Sequence, residues 1–289
     1  MANTARSFHD KWHENPDLAF RTTLTEGSDI QRWILTRNGW DSPEGLAAYL
    51  AGRDRILDAG CGNGRVTALL ASQAPATSEV VGVDLTAADV ARENLAGVPN
   101  VTVHEGDLLG RLEELGEFDF IYCQEVLHHT SDAAAAFANV ASLLRSGGEY
   151  AVYVYRRKAP VREFTDDFVR AAIADLPYDE AMAVSRRIAE LGRRLADLKA
   201  EIAVPEIAQL GIEAGTYDVQ RFVYHFFMKA FWSEELDPEA NAAINYDWYH
   251  PQDCSRHTLD EVLAWYERAD LEVVHRHVDP YGITVRGRR

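Results

Sequence analysis

The sequence predicts an α/β fold, a mostly parallel sheet wrapped by helices with an antiparallel hairpin at its C-terminal end and a helical segment inserted before that hairpin. Three observations carry this reading. Between Arg55 and Tyr155 a short apolar run, a turn and a helical stretch recur in that order. After Tyr155 about ninety residues of helical composition follow, ending near Asn245 and broken only at Pro177, Pro205, Gly211 and Gly215. The chain then closes with two strand-like runs separated by Asp279-Pro280-Tyr281-Gly282, a turn sequence.

Residues 1–53 read as mixed helix and loop, with Trp12, Trp33 and Trp40 available to pack over the sheet edge. Strands are placed near Arg55–Asp58, Val80–Asp84, Val101–His104, Phe118–Gln124 and Glu149–Tyr155, each apolar, partly β-branched and bounded by turn residues. Helices fill the gaps, notably Arg65–Gln73, Ala87–Ala96 and Asp132–Leu144. In the insert, Val184, Ile188, Leu191, Leu195, Leu198 and Ile202 alternate spacings of four and three, one apolar stripe on a long helix. That stripe is read as buried within the chain, with a homodimer seam as the other use. A helix over Thr258–Ala269 and strands Glu272–His277 and Ile283–Arg286 complete the order.

Composition narrows the function. In 289 residues, 47% are hydrophobic and 26% charged, enough to bury a core and unlike a disordered chain. Forty-six acidic against 29 basic residues leave a net charge of -17, which repels a phosphate backbone, so nucleic acid is not the expected partner. Cys61, Cys123 and Cys254 form neither a CxxC pair nor an even disulfide framework. With no stretch of signal-peptide or membrane-span character, the expectation is a cytoplasmic protein without membrane association.

The strongest local signal is Ile56-Leu57-Asp58-Ala59-Gly60-Cys61-Gly62-Asn63-Gly64-Arg65, a strand entering a glycine loop that opens a helix. Glycine lets backbone approach a ligand, and the helix start presents unpaired amides to an anionic group. The spacing is G-x-G-x-G, not the G-x-G-x-x-G of a dinucleotide fingerprint. Asp84 ends the next apolar run, where a carboxylate accepts both ribose hydroxyl protons. Asp107 ends the third, suited to accept from an adenine amino group. Taken singly each acid reads as a helix cap or turn residue; in this order they read as a ligand site.

At these residues the chain resembles the class I S-adenosylmethionine-dependent methyltransferases, continuously from Arg55 to Tyr155. The resemblance implies a Rossmann-like sheet of seven strands and S-adenosyl-L-methionine as cofactor. It implies that Asp58 and the loop through Gly60, Cys61, Gly62 and Gly64 hold the methionine portion, Asp84 with Leu85 the ribose side, Asp107 and Leu108 the adenine, and that Gln124 borders the sulfonium. The later segments Asn245–Pro251 and Ser255–Thr258 and the terminal Val285–Arg289 look like a bacterial subgroup with a helical insert. The division that follows is an N-terminal helical cap over 1–53, a cofactor-binding core over 54–156, a helical insert over 157–245 that caps the acceptor or dimerises, and completion of the core by 246–289.

Methyl transfer asks a protein mainly for alignment of nucleophile, carbon and sulfur, since the sulfonium already activates the methyl. A hydroxyl or ammonium acceptor also needs a base, and His suits neutral pH. Glu125-Val126-Leu127-His128-His129-Thr130 puts two imidazoles at the carboxyl edge of the sheet, and in small-molecule methyltransferases that this stretch resembles a His in the place of His129 faces the acceptor. The bland alternative is that either one caps the Asp132 helix or packs.

His257 joins them as a catalytic candidate, and Trp12, Tyr155, Tyr246, Tyr249 and His250 are the candidate acceptor contacts, though Tyr and Trp often sit half-buried for packing alone. His9, Trp12 and His13 are read as a lid over the cofactor, with plain packing as the alternative. No complete ligand set at metal spacing accompanies Cys254, His250 and His257, so no metal is expected. The expected activity is transfer of a methyl group to an oxygen, ahead of a nitrogen, of a small metabolite. The alternatives are a non-methylating reaction in the same cofactor pocket, such as decarboxylation, cyclisation or another group transfer, and a scaffolding role for the insert stripe.

Overall fold

In a computed structural model that describes residues 3–289, the apolar runs between Arg55 and Tyr155 form five parallel strands. In chain order the elements are α1 (Asn3–Glu14), α2 (Phe20–Leu24), α3 (Asp29–Arg37), α4 (Pro43–Leu50), β1 (Arg55–Ala59), α5 (Arg65–Gln73), β2 (Glu79–Asp84), α6 (Ala88–Asn94), β3 (Val101–Glu105), β4 (Phe118–Gln124), α7 (Ala133–Ala141) and β5 (Leu144–Tyr155). Then come α8 (Pro160–Ile173), α9 (Tyr178–Asp197), β6 (Glu201–Val204), β7 (Gly215–Asp218), α10 (Val219–Phe226), α11 (Pro238–Tyr249), α12 (Leu259–Arg268), β8 (Glu272–Val278) and β9 (Gly282–Arg288).

The chain divides into two compact units, one of residues 12–156 with 255–289, the other of 157–254 with the described residues before Trp12. In the first, the seven-stranded sheet runs β3-β2-β1-β4-β5-β9-β8, parallel except that β9 opposes β5 and β8 opposes β9. Alternate strand residues feed two cores. Leu57, Ile121, Val152 and Val285 face Phe137 of α7 and Trp265 and Tyr266 of α12. Ile56, Val80, Phe120 and Ala151 face Leu35 of α3, Leu46 of α4 and Leu69 of α5. Each such buried Val, Leu, Ile or Phe side chain contributes roughly 1.5–3 kcal/mol. Trp33 and Trp40, expected at the sheet edge, lie on a face: Trp40 packs on Phe120 and Tyr122, and Trp33 meets the ring of Tyr153 edge-on.

Helix starts follow local chemistry. Ser28 and Ser42 accept from the amides of Gln31 and Gly45, Asp132 accepts from Ala135, and Thr258 with Glu261 forms a reciprocal capping box. One boundary differs from expectation. The helix after Asp132 stops at Ala141 because the Leu143 carbonyl accepts from Phe118 N and Leu144 pairs with Phe118, which starts β5 five residues before Glu149.

The other unit departs further. It is not wholly helical, for β6 and β7 form an antiparallel hairpin inside it. That hairpin ends α9 at Asp197, so Ile202 of the supposed stripe is a strand residue. Nor is the stripe the buried face, since Leu191 and Leu198 are 41% and 60% exposed. The buried face is instead Ala181, Met182, Ser185, Ile188, Ala189 and Gly192. Small residues win there because α11 and the segment before it come close: a Cβ on Gly192 would stand 2.6 Å from the Ala230 carbonyl oxygen, and Ala181, Met182 and Ala189 share one cluster with Ala242 and Tyr246.

Candidate functional site

The strand order reverses between β1 and β4, and in sheets of this kind the crevice outside the carboxyl ends at that point receives ligands. The glycine loop leaves β1 there. Gly60 and Cys61 both donate their amides to the Val83 carbonyl, at 2.7 and 3.0 Å, which folds the loop across the end of β2. Gly60 has φ +83° and its missing Cβ would stand 2.4 Å from both Val126 methyls; Gly62 has φ +54° and its Cβ would stand 2.9 Å from the Trp12 indole. Both positions therefore exclude a side chain twice over, by backbone conformation and by close approach.

Trp12 thus lies on the glycine loop, and the segment behind it is laced to the same place. Asn63 Nδ2 donates to the carbonyls of Pro16 and Leu18 at 3.0 and 3.1 Å, Asn94 Nδ2 donates to Pro16, and His13 Nε2 sits 3.0 Å from Asp89. Asp58 and Cys61 have other duties. The Asp58 carboxylate accepts from Thr67 Oγ1 at 2.6 Å, tying α5 to β1, and burial pushes its pKa up to about 7 against the help of that bond. The Cys61 thiol is buried against the position of Gly82, and burial raises its pKa, so only its backbone is offered to the crevice.

Asp84 joins the loop to the turn that follows β2. Its Oδ2 accepts from Gly62 N at 2.9 Å; its Oδ1 accepts from Thr86 N at 2.8 Å, Ala87 N at 3.0 Å and Thr86 Oγ1 at 3.2 Å. A carboxylate offers about four lone-pair sites, so a diol bound here must replace the weakest of these contacts. Leu85 beside it is 47% exposed, an apolar surface suited to lie along a nucleoside. Asp107 is exposed and turns its Oδ1 to Leu109 N at 2.9 Å, while buried Leu108 is held by Asn139 Nδ2, which donates to its carbonyl at 2.8 Å.

At the end of β4, Gln124 is buried, its Oε1 accepts from Tyr122 OH at 2.5 Å, and its Nε2 has no hydrogen-bond partner among the described residues. A buried amide donor left over at the carboxyl end of β4, the strand beside the one that feeds the glycine loop, fits a polar cofactor that supplies the missing acceptor. Glu125 follows in the left-handed region at φ +62°, a conformation that costs a non-glycine residue roughly 1–2 kcal/mol and recurs at functional sites. Arg65 Nη2 reaches Glu125 Oε2 at 3.3 Å and its Nη1 donates to Thr23 Oγ1 at 3.2 Å. Neither Arg65 nor Glu125 carries a sequence signal for this pairing, being sixty positions apart.

The imidazoles come together. Leu127–His129 is a 3-10 turn in which His128 and His129 have ring centroids 4.4 Å apart, and His128 lies 3.7 Å, tilted 32°, from the Tyr155 ring. His129 meets Tyr155 edge-on at 5.6 Å. The helix that follows is capped by Asp132, so neither imidazole is needed for that duty. The return of the chain closes the group: Ser255 N donates to the His128 carbonyl at 2.8 Å, His257 N donates to the Tyr155 carbonyl at 2.9 Å, and Ser255 Oγ lies 2.9 Å from His257 Nε2. Ser255 was not among the sequence candidates; only its nearness to His257 in the chain pointed to it.

Tyr246, Tyr249 and His250 belong to α11 and its cap in the other unit, all buried there. His250 lies between Ser7 Oγ, 2.8 Å from Nδ1, and the Leu176 carbonyl, 3.0 Å from Nε2. Tyr249 OH donates to Asp166 at 2.8 Å. The polar tips of Tyr249 and His250 are thus engaged inside that unit, whereas the Tyr246 hydroxyl is buried with no hydrogen-bond partner among the described residues. Among the described residues no group of three or more His, Cys, Asp or Glu could hold a metal ion, and no helix is long and apolar enough to cross a membrane.

Residues 56–148 match the family model described as a methyltransferase domain. An uncharacterized protein of Synechococcus is 35% identical over 167 residues, covering 52% of this chain and 39% of that protein. A ubiquinone biosynthesis O-methyltransferase of Aromatoleum aromaticum is 40% identical over 106 residues, 35% of this chain and 44% of the relative. A trans-aconitate 2-methyltransferase of Deinococcus radiodurans is 36% identical over 101 residues, 35% and 37% of the two chains. The chain thus spans less than half the length of these curated relatives. A solved O-methyltransferase family protein of Burkholderia thailandensis has TM-score 0.48 at 14% identity, over 90% of this chain and 56% of that one.

Proposed function

We propose that this chain, which belongs to the class I S-adenosylmethionine-dependent methyltransferases through residues 56–148, moves a methyl group to an oxygen, ahead of a nitrogen, of a small-molecule metabolite. The observation that carries the reading is the Gly62–Asp84 hydrogen bond, which fastens the glycine loop after β1 to the carboxylate that ends the neighbouring β2. S-adenosylmethionine supplies an already activated methyl group. The residues of the chain do the rest. Gly60–Gly64 and Asp84 hold and orient the cofactor, and Gln124 Nε2 donates toward it.

His129 takes the acceptor proton, held in place by its edge-on contact with Tyr155 and by the neighbouring His128 ring. His257, fixed beside Ser255, borders the same space. That one curated relative is named an O-methyltransferase supports oxygen over nitrogen.

Calorimetry with S-adenosylmethionine and S-adenosylhomocysteine, and transfer of a labelled methyl group to a panel of hydroxyl and amine metabolites, test this. Expected are saturable cofactor binding, weakened at least about tenfold in Asp84→Ala because a charge-assisted pair of hydrogen bonds is lost, and label in an acceptor. His129→Asn should lower kcat by about 10²-fold or more with cofactor affinity kept. Absence of cofactor binding would overturn the reading, and label retained wholly in the cofactor would leave binding but remove methyl transfer.

A further inference from the structure

We infer that the helical unit contains a binding site for an oxyanion, a carboxylate or phosphate group of a small molecule, built around Arg162 and Trp248. Arg162 stands on α8 with its side chain fully buried. Its Nε donates to Asp166 Oδ2 at 3.1 Å, but Nη1 and Nη2 are buried with no hydrogen-bond partner among the described residues. Asp166 cannot turn to serve them, because its other oxygen accepts from Tyr249 OH at 2.8 Å and from the Lys229 amide at 3.1 Å.

The surroundings add positive charge. Around the Trp248 indole stand the Arg162 guanidinium at 5.1 Å, Lys229 Nζ at 4.9 Å, Lys158 Nζ at 5.8 Å and the Arg170 guanidinium at 6.0 Å. Arg170 is engaged by Asp167 and by the Trp248 carbonyl, which accepts from its Nη2 at 2.9 Å. Tyr224 covers the Arg162 guanidinium, 4.4 Å from its ring centroid, and fixes its plane. A buried guanidinium held flat, with both terminal nitrogens unmatched, presents the paired donors that two oxygens of a carboxylate or phosphate accept. Burial of unmatched donors is costly, and an oxyanion removes that cost.

The nitrogens are closed from solvent, and the non-helical segment 227–237 reaches the site through Lys229, whose amide donates to the Arg162 partner Asp166. That segment is tied to α11 by side-chain amides, Phe231 N donating to Asn245 Oδ1 at 3.0 Å and Ser233 N to Asn241 Oδ1 at 2.8 Å. Every residue named lies inside one unit, and the site does not depend on the methyl-transfer reading.

The test is calorimetry and thermal unfolding of the full chain with sodium phosphate and with sodium acetate, against sodium chloride at equal ionic strength. Non-specific salt effects grow without saturating, whereas a site saturates. A saturable response to phosphate identifies a phosphate site, and one to acetate a carboxylate site. Arg162→Lys keeps the charge but loses the fork and should raise the half-saturation concentration about tenfold; Lys229→Met should raise it by a smaller factor. If Arg162→Lys does not fold, Lys229→Met decides alone. No saturable response to either salt, or half-saturation unchanged in the folded variants, overturns the inference.

Discussion

Gly62→Ala probes the contact between the glycine loop and the N-terminal segment. At φ +54° an alanine sits in left-handed backbone, at a cost of roughly 1–2 kcal/mol. Its Cβ would stand 2.9 Å from Cε2 and Cζ2 of Trp12 and 3.1 Å from Nε1. Carbon contacts are optimal near 3.5–4.0 Å, so the indole must retreat by about half an ångström or more, and overpacking of this kind costs about 1–3 kcal/mol. The loss of glycine entropy in the unfolded chain returns about 0.4–1 kcal/mol. The expected net loss is about 1–4 kcal/mol.

A double-mutant cycle with Trp12→Ala separates the two causes. With the indole gone only the backbone strain remains, so the cost of Gly62→Ala should fall by about 1 kcal/mol or more. Urea unfolding of the four proteins measures this, and calorimetry with S-adenosylhomocysteine follows the loop's binding competence in parallel. Equal costs of Gly62→Ala with and without the indole would falsify the packing of Trp12 on the loop, and no cost at all would remove the left-handed turn as well.

Two further outcomes are expected. Because burial lifts Asp58 in the folded chain from 3.8 to about 7, the native state holds a proton that the unfolded state releases between those values, so this residue's contribution falls as pH rises from about 4 to 7. Asp58→Asn, which keeps an oxygen for Thr67 without the charge, should gain on the wild type through that window by up to about 1.4 kcal/mol per pH unit and level off above it; a stability difference flat with pH would contradict this. Gly192→Ala places a methyl 2.6 Å from the Ala230 carbonyl oxygen and 3.1 Å from that of Phe231. It should destabilise by about 1–3 kcal/mol in thermal unfolding, and a neutral or stabilising result would show that α9 does not approach that segment as described.

What could be read from the chain alone was what neighbouring residues decide among themselves. Phe118–Gln124 is a strand and Arg65–Gln73 a helix at the expected residues because an apolar run and a helical period are properties of a few consecutive side chains. Gly60, Gly62 and Gly64 all have positive φ, the use for which a loop of alternating glycines is suited. Asp84 stood out for the same reason, as an acid closing an apolar run. The pattern misled where a neighbour's shape mattered more than local hydropathy. In α9 the leucines and isoleucines suggested the inner face, but close approach by α11 and the 230 segment selected Ser185 and Gly192.

Tertiary structure alone decided which distant residues share a space. Trp12 on Gly62, Arg65 beside Glu125, His128 against Tyr155 and Arg162 between Tyr224 and Trp248 are meetings across 27 to 86 positions, and none leaves a mark on the residues between. The physical reason is one of range. Backbone stereochemistry and side-chain periodicity act over a turn or a strand and are written in composition, whereas contacts closed by long loops depend on how whole elements pack, which no short stretch of sequence encodes.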